Sequence, residues 1–313
     1  MKYRAALPQL SGETFITDGG METTLIFHRG IDLPAFAAFD LLKDEEGTAT
    51  LRGYFAPYAE IGREHGAGLV LDTPTWRASS EWGEQLGYSA EALDEANRKA
   101  VAMLEDVRAE HESERTPIVI AGCIGPRGDG YQVGDLMSAD EARRYHSRQA
   151  ETFADTNADL IGALTMTYAD EAVGIARAAE GVEMPSVVSF TVETDGRLPS
   201  GQPLGEAIDQ VQAETDGAPA YFMINCAHPT HFAGVLQEDG PWDQIRGLRA
   251  NASRKSHAEL DEAEVLDEGD PVQLASEYDE LRSVLPNLTV VGGCCGTDHR
   301  HVDEICRTWV AAG

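Results

Sequence analysis

Residues 117–164 read PIVIAGCIGPRGDGYQVGDLMSADEARRYHSRQAETFADTNADLIGAL, and the fold turns on this stretch. It opens on a short β-branched run, Pro117–Gly122, and passes through a Gly-rich loop into a helical segment, Ser138–Thr156. A second apolar run, Asp159–Leu164, follows at once. Ser138 with Glu141 three residues on has the form of a capping box, which marks a helix start. Neither apolar run alternates with polar residues, and unbroken apolar runs belong to parallel strands covered on both faces.

The same unit recurs in both directions along the chain. Further strand-like runs fall at Thr14–Asp18, Gly68–Asp72, Pro185–Val192, Ala220–Asn225, Ile245–Ala250 and Leu288–Gly292. Between them, apolar residues at i, i+3, i+4 spacing predict helices. These cover Asp44–Glu64, Ser89–Ala109, Ala169–Ala179, Gly205–Glu214, Thr230–Leu236, Pro271–Val284 and Asp298–Val310. Eight strands alternating with eight helices predict parallel βα units closed into one (β/α)8 TIM barrel, an α/β fold of a single domain over residues 1–313. An open doubly wound sheet is the alternative, but Asp18-Gly19-Gly20-Met21-Glu22 after the first strand does not match GxGxxG. One segment departs from the rhythm, an acidic excursion near residues 251–270. Its Glu259–Asp270 portion holds seven acidic residues in twelve and reads as a solvated loop, with a lid or an oligomer contact as the other readings.

The whole chain is acidic, with 54 Asp and Glu against 24 Lys and Arg and a formal charge of −30 over 313 residues. Such a surface repels phosphate backbones and anionic lipid, so nucleic acid and membrane surfaces are excluded as general partners. Only four of the basic residues are lysines, which fits either salt tolerance or a GC-rich genome. No stretch is apolar enough to span a membrane and the N-terminus carries no apolar signal region, so a cytoplasmic location is expected. The five cysteines are odd in number, which points to a reducing compartment and to metal rather than disulfides.

In a barrel, chemistry sits where strands end and βα loops begin. Cys226 ends the sixth strand, and Cys294 and Cys295 end the eighth, flanked by Gly292, Gly293 and Gly296. Adjacent residues of a continuing strand point to opposite faces, so both cysteines serve one metal only if the glycines let the backbone bend. Three thiolates suit Zn²⁺ and leave one coordination position open, the mark of a catalytic rather than a structural zinc. A vicinal disulfide and a set of inert buried thiols are the other readings. His228 and His231 stand either as nitrogen ligands or as packing residues.

At these residues the sequence resembles the homocysteine S-methyltransferase family, zinc-dependent barrels that include betaine–homocysteine methyltransferase. Four stretches carry the resemblance: Asp18-Gly19-Gly20, Ser189–Leu204, Asn225-Cys226 with His228-Pro229, and Gly292–Thr297 (GGCCGT). The resemblance implies a methyltransferase with Cys226, Cys294 and Cys295 as zinc ligands and catalytic centre. It implies that Asp18, Gly19 and Gly20 lie against an amino-acid substrate, beside Asn225. Many members place a Glu at the end of strand 4 to hold the substrate's amino group; here Leu164 stands there, and Glu22 or Glu193 is a substitute. Pro74 and Trp76 also differ from the commoner pattern, which marks a divergent subgroup.

The implied reaction moves a methyl group from a small sulfonium or quaternary ammonium donor to a zinc-activated thiol, with homocysteine giving methionine. Trp76 or Tyr168 is placed to hold the donor's cation through a π-face. Arg127, in the loop Gly125–Tyr131, is placed to pair with a carboxylate. Methylation or demethylation of another thiol is the first alternative. A non-catalytic zinc- or thiol-binding barrel and a zinc hydrolase are the others. A homo-oligomer is compatible with all of them.

Overall fold

A computed structural model describes residues 1–311 of the chain. Eight parallel strands close into a barrel in strict sequence order. They are β1 (Phe15–Ile16), β2 (Gly68–Asp72), β3 (Ile118–Ile124), β4 (Leu160–Met166), β5 (Ser186–Phe190), β6 (Pro219–Asn225), β7 (Ile245–Ala250) and β8 (Val290–Gly293). Closure is set by β1, where Phe15 pairs with Gly68 on one side and Val290 on the other. The open doubly wound sheet is thereby excluded.

The helices that cover the barrel are α1 (Glu45–His65), α2 (Ala90–His111), α3 (Ala139–Ala154), α4 (Ala169–Gly181), α5 (Leu204–Glu214), α6 (Pro229–Phe232), α7 (Pro271–Glu280) and α8 (His299–Ala311). Their starts are chemically marked. Asp44 and Ser89 accept from backbone amides of the first turns of α1 and α2, and Ser138 with Glu141 forms the complete capping box of α3. Two predicted helices are shorter than their apolar pattern. The one predicted at Thr230–Leu236 stops at Phe232 and resumes as a 3-10 turn at Val235–Gln237, with Gly234 between the two pieces. Glycine costs a helix about 1 kcal/mol, enough to end so short a segment. The one predicted at Pro271–Val284 ends at Glu280 and passes into a 3-10 turn at Leu281–Ser283. The helix Ser80–Gln85 was not foreseen.

Strand parity positions the site. On β2, β3 and β6 the side chains of Val70, Val119, Ala121, Tyr221 and Met223 pack together inside the barrel with Phe15 and Val290. Their intervening neighbours, among them Leu69, Leu71, Ile118 and Ile120, face the helices in the larger outer core. Continuing the inward parity one step toward the C-terminal ends gives Asp72, Cys123, Asn225 and, on β7 and β4, Arg249 and Leu164. The opposite end is shut by the N-terminal segment. Lys2 and Tyr3 donate their backbone amides to Asp159 Oδ1, and Arg4 reaches the carbonyl of Ala158.

The acidic excursion after β7 is largely exposed, with no residue of 259–270 buried. It carries a short helix, His257–Asp261, with its own Ser256–Glu259 capping box, and folds across the barrel mouth. Leu260, Ala263 and Leu266, each half-buried, line the cavity together with Asp261 and Asp267, while Val265 at its edge is mostly exposed. The excursion is therefore a solvated loop, as read from its charges, that also borders the cavity mouth.

Candidate active site

The site is organised by the turn after β8. The strand ends at Gly293, and Thr297 closes a turn on Cys294 through its amide (3.0 Å) and its hydroxyl (2.7 Å), both donating to the Cys294 carbonyl. A side chain at Gly293 would stand 2.0 Å from Thr297 Oγ1, so this turn requires glycine. The bend removes the parity problem, because neither cysteine lies on the strand. Cys226 follows β6 in a left-handed conformation (φ +54°). That strain is held by His257, whose Nε2 donates to the Cys226 carbonyl at 2.7 Å, and by the Thr191 hydroxyl at 3.3 Å.

The sulfurs of Cys226, Cys294 and Cys295 consequently lie within 4.8 Å of one another. A tetrahedral zinc with Zn–S bonds near 2.3 Å sets its sulfurs about 3.8 Å apart, so the cluster is close to ligand spacing before any ion is bound. No nitrogen or carboxylate joins the group among the described residues. An all-sulfur donor set suits zinc and disfavours hard cations. Hydrogen bonds from the Cys226 and Cys295 thiols, with the Arg249 guanidinium nearby, pull the Cys294 thiol well below its ordinary range. The same contacts push Cys226 up.

Arg249, unforeseen in the sequence, fastens this loop to the rest of the mouth. Its Nη2 donates to Asp18 Oδ1 at 2.6 Å, its Nη1 to Asp72 Oδ2, and its Nε to the Gly293 carbonyl at 3.1 Å. One buried side chain thus joins β7 to the β1 turn, to β2 and to the residue before Cys294. Tyr54 donates to the other Asp18 oxygen at 3.0 Å. Burial pushes the Asp18 carboxyl up, against the pull of Arg249. The signal for Arg249 lay in strand parity, since it is an inward-facing charge at the C-terminal end of a barrel strand.

Above the sulfurs opens a cavity of about 600 Å³. Asp18, Gly19, Gly20, Glu22, Trp76 and Asn225 all line it, as does Leu164. Their roles differ from a simple set of substrate contacts. Gly20 donates its amide to the Thr297 carbonyl (3.0 Å), and a Cβ there would come within 2.6 Å of the Cys294 carbonyl oxygen. This glycine lets the β1 turn pack on the metal loop. Asn225 accepts from the Thr165 amide (2.9 Å) and the Ser189 hydroxyl (2.6 Å) and donates to Thr165 Oγ1 (2.8 Å). It thereby holds Thr165 at φ +63° in the bulge after Leu164. Trp76 is stacked by the guanidinium of Arg77 at 4.1 Å, and its indole N–H donates to the Leu164 carbonyl at 3.3 Å. That stack engages the π-face expected for a donor cation.

Other expected contacts lie elsewhere. Tyr168 caps the entry to α4 and accepts from the Met137 amide at 3.2 Å, outside the cavity. Arg127 turns away from the cavity and donates to the Asp135 carbonyl at 2.5 Å. Glu193 faces His257 at 3.2 Å. His228 pairs with Glu277 at 3.1 Å and His231 meets the Arg254 carbonyl at 2.9 Å, so neither histidine is a ligand of the sulfur cluster. The same Gly-rich loop supplies a different residue, Tyr131. Its hydroxyl lies 3.1 Å from Cys295 Sγ, and its ring stacks on His257 at 4.1 Å. Glu22, half-buried at the wall beside Asp18 and Cys294, has its carboxyl pushed up to about 7 by desolvation; burial does the same to Asp72. A second group of potential ligands, His28, Glu268 and Asp298, is bridged instead by Arg300, 2.7 Å from each carboxylate, and straps the excursion to α8 and the β1 loop.

Comparison with known proteins agrees with this geometry. The family profile described as "Homocysteine S-methyltransferase" matches residues 15–309. The chain is 27% identical over 251 residues to "Selenocysteine Se-methyltransferase" of Brassica oleracea var. italica, covering 73% of this chain and 69% of that protein. It is 24% identical over 253 residues to "Homocysteine S-methyltransferase 2" of Arabidopsis thaliana, covering 73% of each. Among solved structures, the oxidized form of the homocysteine methyltransferase MmuM from Escherichia coli superposes with a TM-score of 0.72 at 18% identity, covering 99% of both chains. Its metallated form gives 0.71 at 18% identity, covering 94% of this chain and 96% of that one. At this identity the structural match speaks for the fold.

Proposed function

Since this chain belongs to the homocysteine S-methyltransferase family, we propose that it moves a methyl group from a small sulfonium or quaternary ammonium donor to a thiol, with homocysteine as acceptor and methionine as product. The observation that carries the reading is the all-sulfur cluster on the floor of a cavity large enough for two small molecules. Cys226, Cys294 and Cys295 are the residues that would hold zinc. Bound there, the ion supplies thiol activation, because an acceptor sulfur is a good nucleophile only as thiolate.

The protein's own part is positioning and charge. Arg249 and Thr297 keep the metal loop against the β1 turn, so the three sulfurs present one open side to the cavity. Asp18, Asp72 and Glu22 outnumber Arg249 at the floor, which favours a donor whose positive charge is lost on transfer. Leu164, Trp82 and Phe27 form apolar wall suited to a methyl-bearing chain. The excursion residues Leu260 and Leu266 add apolar surface at the mouth, and the walls would hold the two reactants in line. Asp18, Gly19, Gly20 and Glu22 line the cavity from the β1 turn, on the side where the acceptor's polar end would lie. Trp76 and Asn225 shape the opposite wall.

Leu164 favours a second reading, in which the acceptor is a different, less polar thiol. A matrix of thiol acceptors against sulfonium and betaine donors, read by mass spectrometry on zinc-loaded protein, tests both. Methionine from homocysteine supports the first reading. Methylation of other thiols without homocysteine supports the second, and no methylated thiol from any pair overturns both.

A further inference from the structure

The floor of the cavity holds a charge imbalance that its own contacts do not resolve. Arg249 is one cation between two carboxyls, so the Asp18–Arg249–Asp72 group is anionic once Asp72, raised to about 7 by burial, has ionised. Asp18 has both oxygens engaged, one by Arg249 and one by Tyr54. Asp72 does not. Arg249 holds Oδ2, and among the described residues no donor reaches Oδ1, although the residue is only 8% exposed. That oxygen is not walled off by protein: it opens on the cavity, where an entering ligand meets an acceptor that no protein donor occupies. Its position is defined: a Cβ built on Gly162 would lie 3.2 Å from Asp72 Oδ1 and 3.9 Å from Leu164 Cδ2. The two side chains flank one point over β4, one charged and one apolar, and both line the cavity above the sulfurs.

We infer that Asp72 Oδ1 receives the ammonium group of the acceptor, which makes Asp72 the residue that selects an amino-acid thiol over a simple thiol. The inference rests on the thiol-methylation reading for the identity of the ligand. The ammonium completes the charge balance of the floor, and Arg249 fixes the carboxylate so that its free oxygen faces the ligand. Because Oδ2 is already tied down, little side-chain freedom is lost on binding.

The test compares homocysteine with 4-mercaptobutanoate, which lacks only the amino group. Zinc-loaded wild-type protein is expected to prefer homocysteine by 10- to 100-fold in kcat/KM, carried by KM. Asp72→Asn should reduce that ratio to within about threefold, the change being read as the ratio within each protein. Leu164→Glu placed in the Asp72→Asn protein returns a carboxylate to the same point and should restore the preference. Should Asp72→Asn not fold, Asp72→Glu keeps the charge for Arg249, shifts the free oxygen, and should lower the ratio. Calorimetry with methionine against 4-(methylthio)butanoate reads the same preference without turnover, so it separates a failed anchor from a failed reaction assignment. Equal binding of the two by wild type, an unchanged ratio in a folded Asp72 variant, or a collapse produced by Glu22→Gln instead overturns the inference.

Discussion

Replacing Arg249 by methionine removes the guanidinium that joins four strands while keeping most of the side chain's bulk. Asp18 and Asp72 are then left buried without their cation, and removing one partner of a buried pair typically costs about 3–5 kcal/mol. The Gly293 carbonyl also loses its donor, worth about 1 kcal/mol. The combined loss is about 4–6 kcal/mol. A chain of 313 residues unfolds with an entropy near 0.66 kcal/mol/K, taking about 2.1 cal/mol/K per residue. The expected fall in Tm is therefore about 6–9 °C at pH 8, measured by calorimetry on metal-free protein. Acidification should shrink it. Without Arg249 both carboxyls titrate higher still, so at pH 5.5 they fold neutral and the missing cation matters less. A Tm within about 2 °C of wild type at pH 8, or a deficit that does not narrow at pH 5.5, would refute the role given to Arg249.

Three further outcomes follow from the same geometry. Glu22 and Asp72 titrate near 7 in the folded protein and near 4 when unfolded, so the native state holds extra protons between those values. Metal-free stability should fall as pH rises through that window, and Glu22→Gln should flatten the slope in denaturant titrations; a stability that rises from pH 5.5 to 7.5 contradicts it. Gly293→Ala drives a methyl group onto Thr297 Oγ1 and should lower zinc affinity at least tenfold with the helical circular dichroism unchanged, checked by competition with a chromophoric chelator. Tyr131→Phe removes the hydroxyl beside Cys295 and should speed labelling of that thiol by a disulfide reagent several-fold in metal-free protein; an unchanged rate would show that Tyr131 does not guard it.

The barrel was readable because unbroken apolar runs and 3.6-period segments alternate eight times, with the Ser138–Glu141 capping box marking one helix start. The metal loop was readable because cysteines and glycines sit together at two strand ends. Arg249 and Asp72 escaped notice for a physical reason. They are 177 residues apart, and a buried ion pair leaves no local pattern beyond the parity of each strand. Tyr168 and Arg127 were misjudged because each lies one turn past a strand end, where the chain has already bent outward. The charges of residues 259–270 mark an exposed segment, while the half-buried Leu260 and Leu266 among them touch the cavity mouth and carry no periodic signal of it.

The central claim is that Cys226, Cys294 and Cys295 hold a metal whose remaining position takes the acceptor sulfur. Zinc K-edge absorption on the purified, zinc-loaded protein counts sulfur neighbours directly. Three sulfurs and one lighter atom are expected for the protein alone and four sulfurs after homocysteine is added, with zinc lost in Cys226→Ser. A sulfur count that homocysteine leaves unchanged, or full zinc retention in Cys226→Ser, would contradict the account.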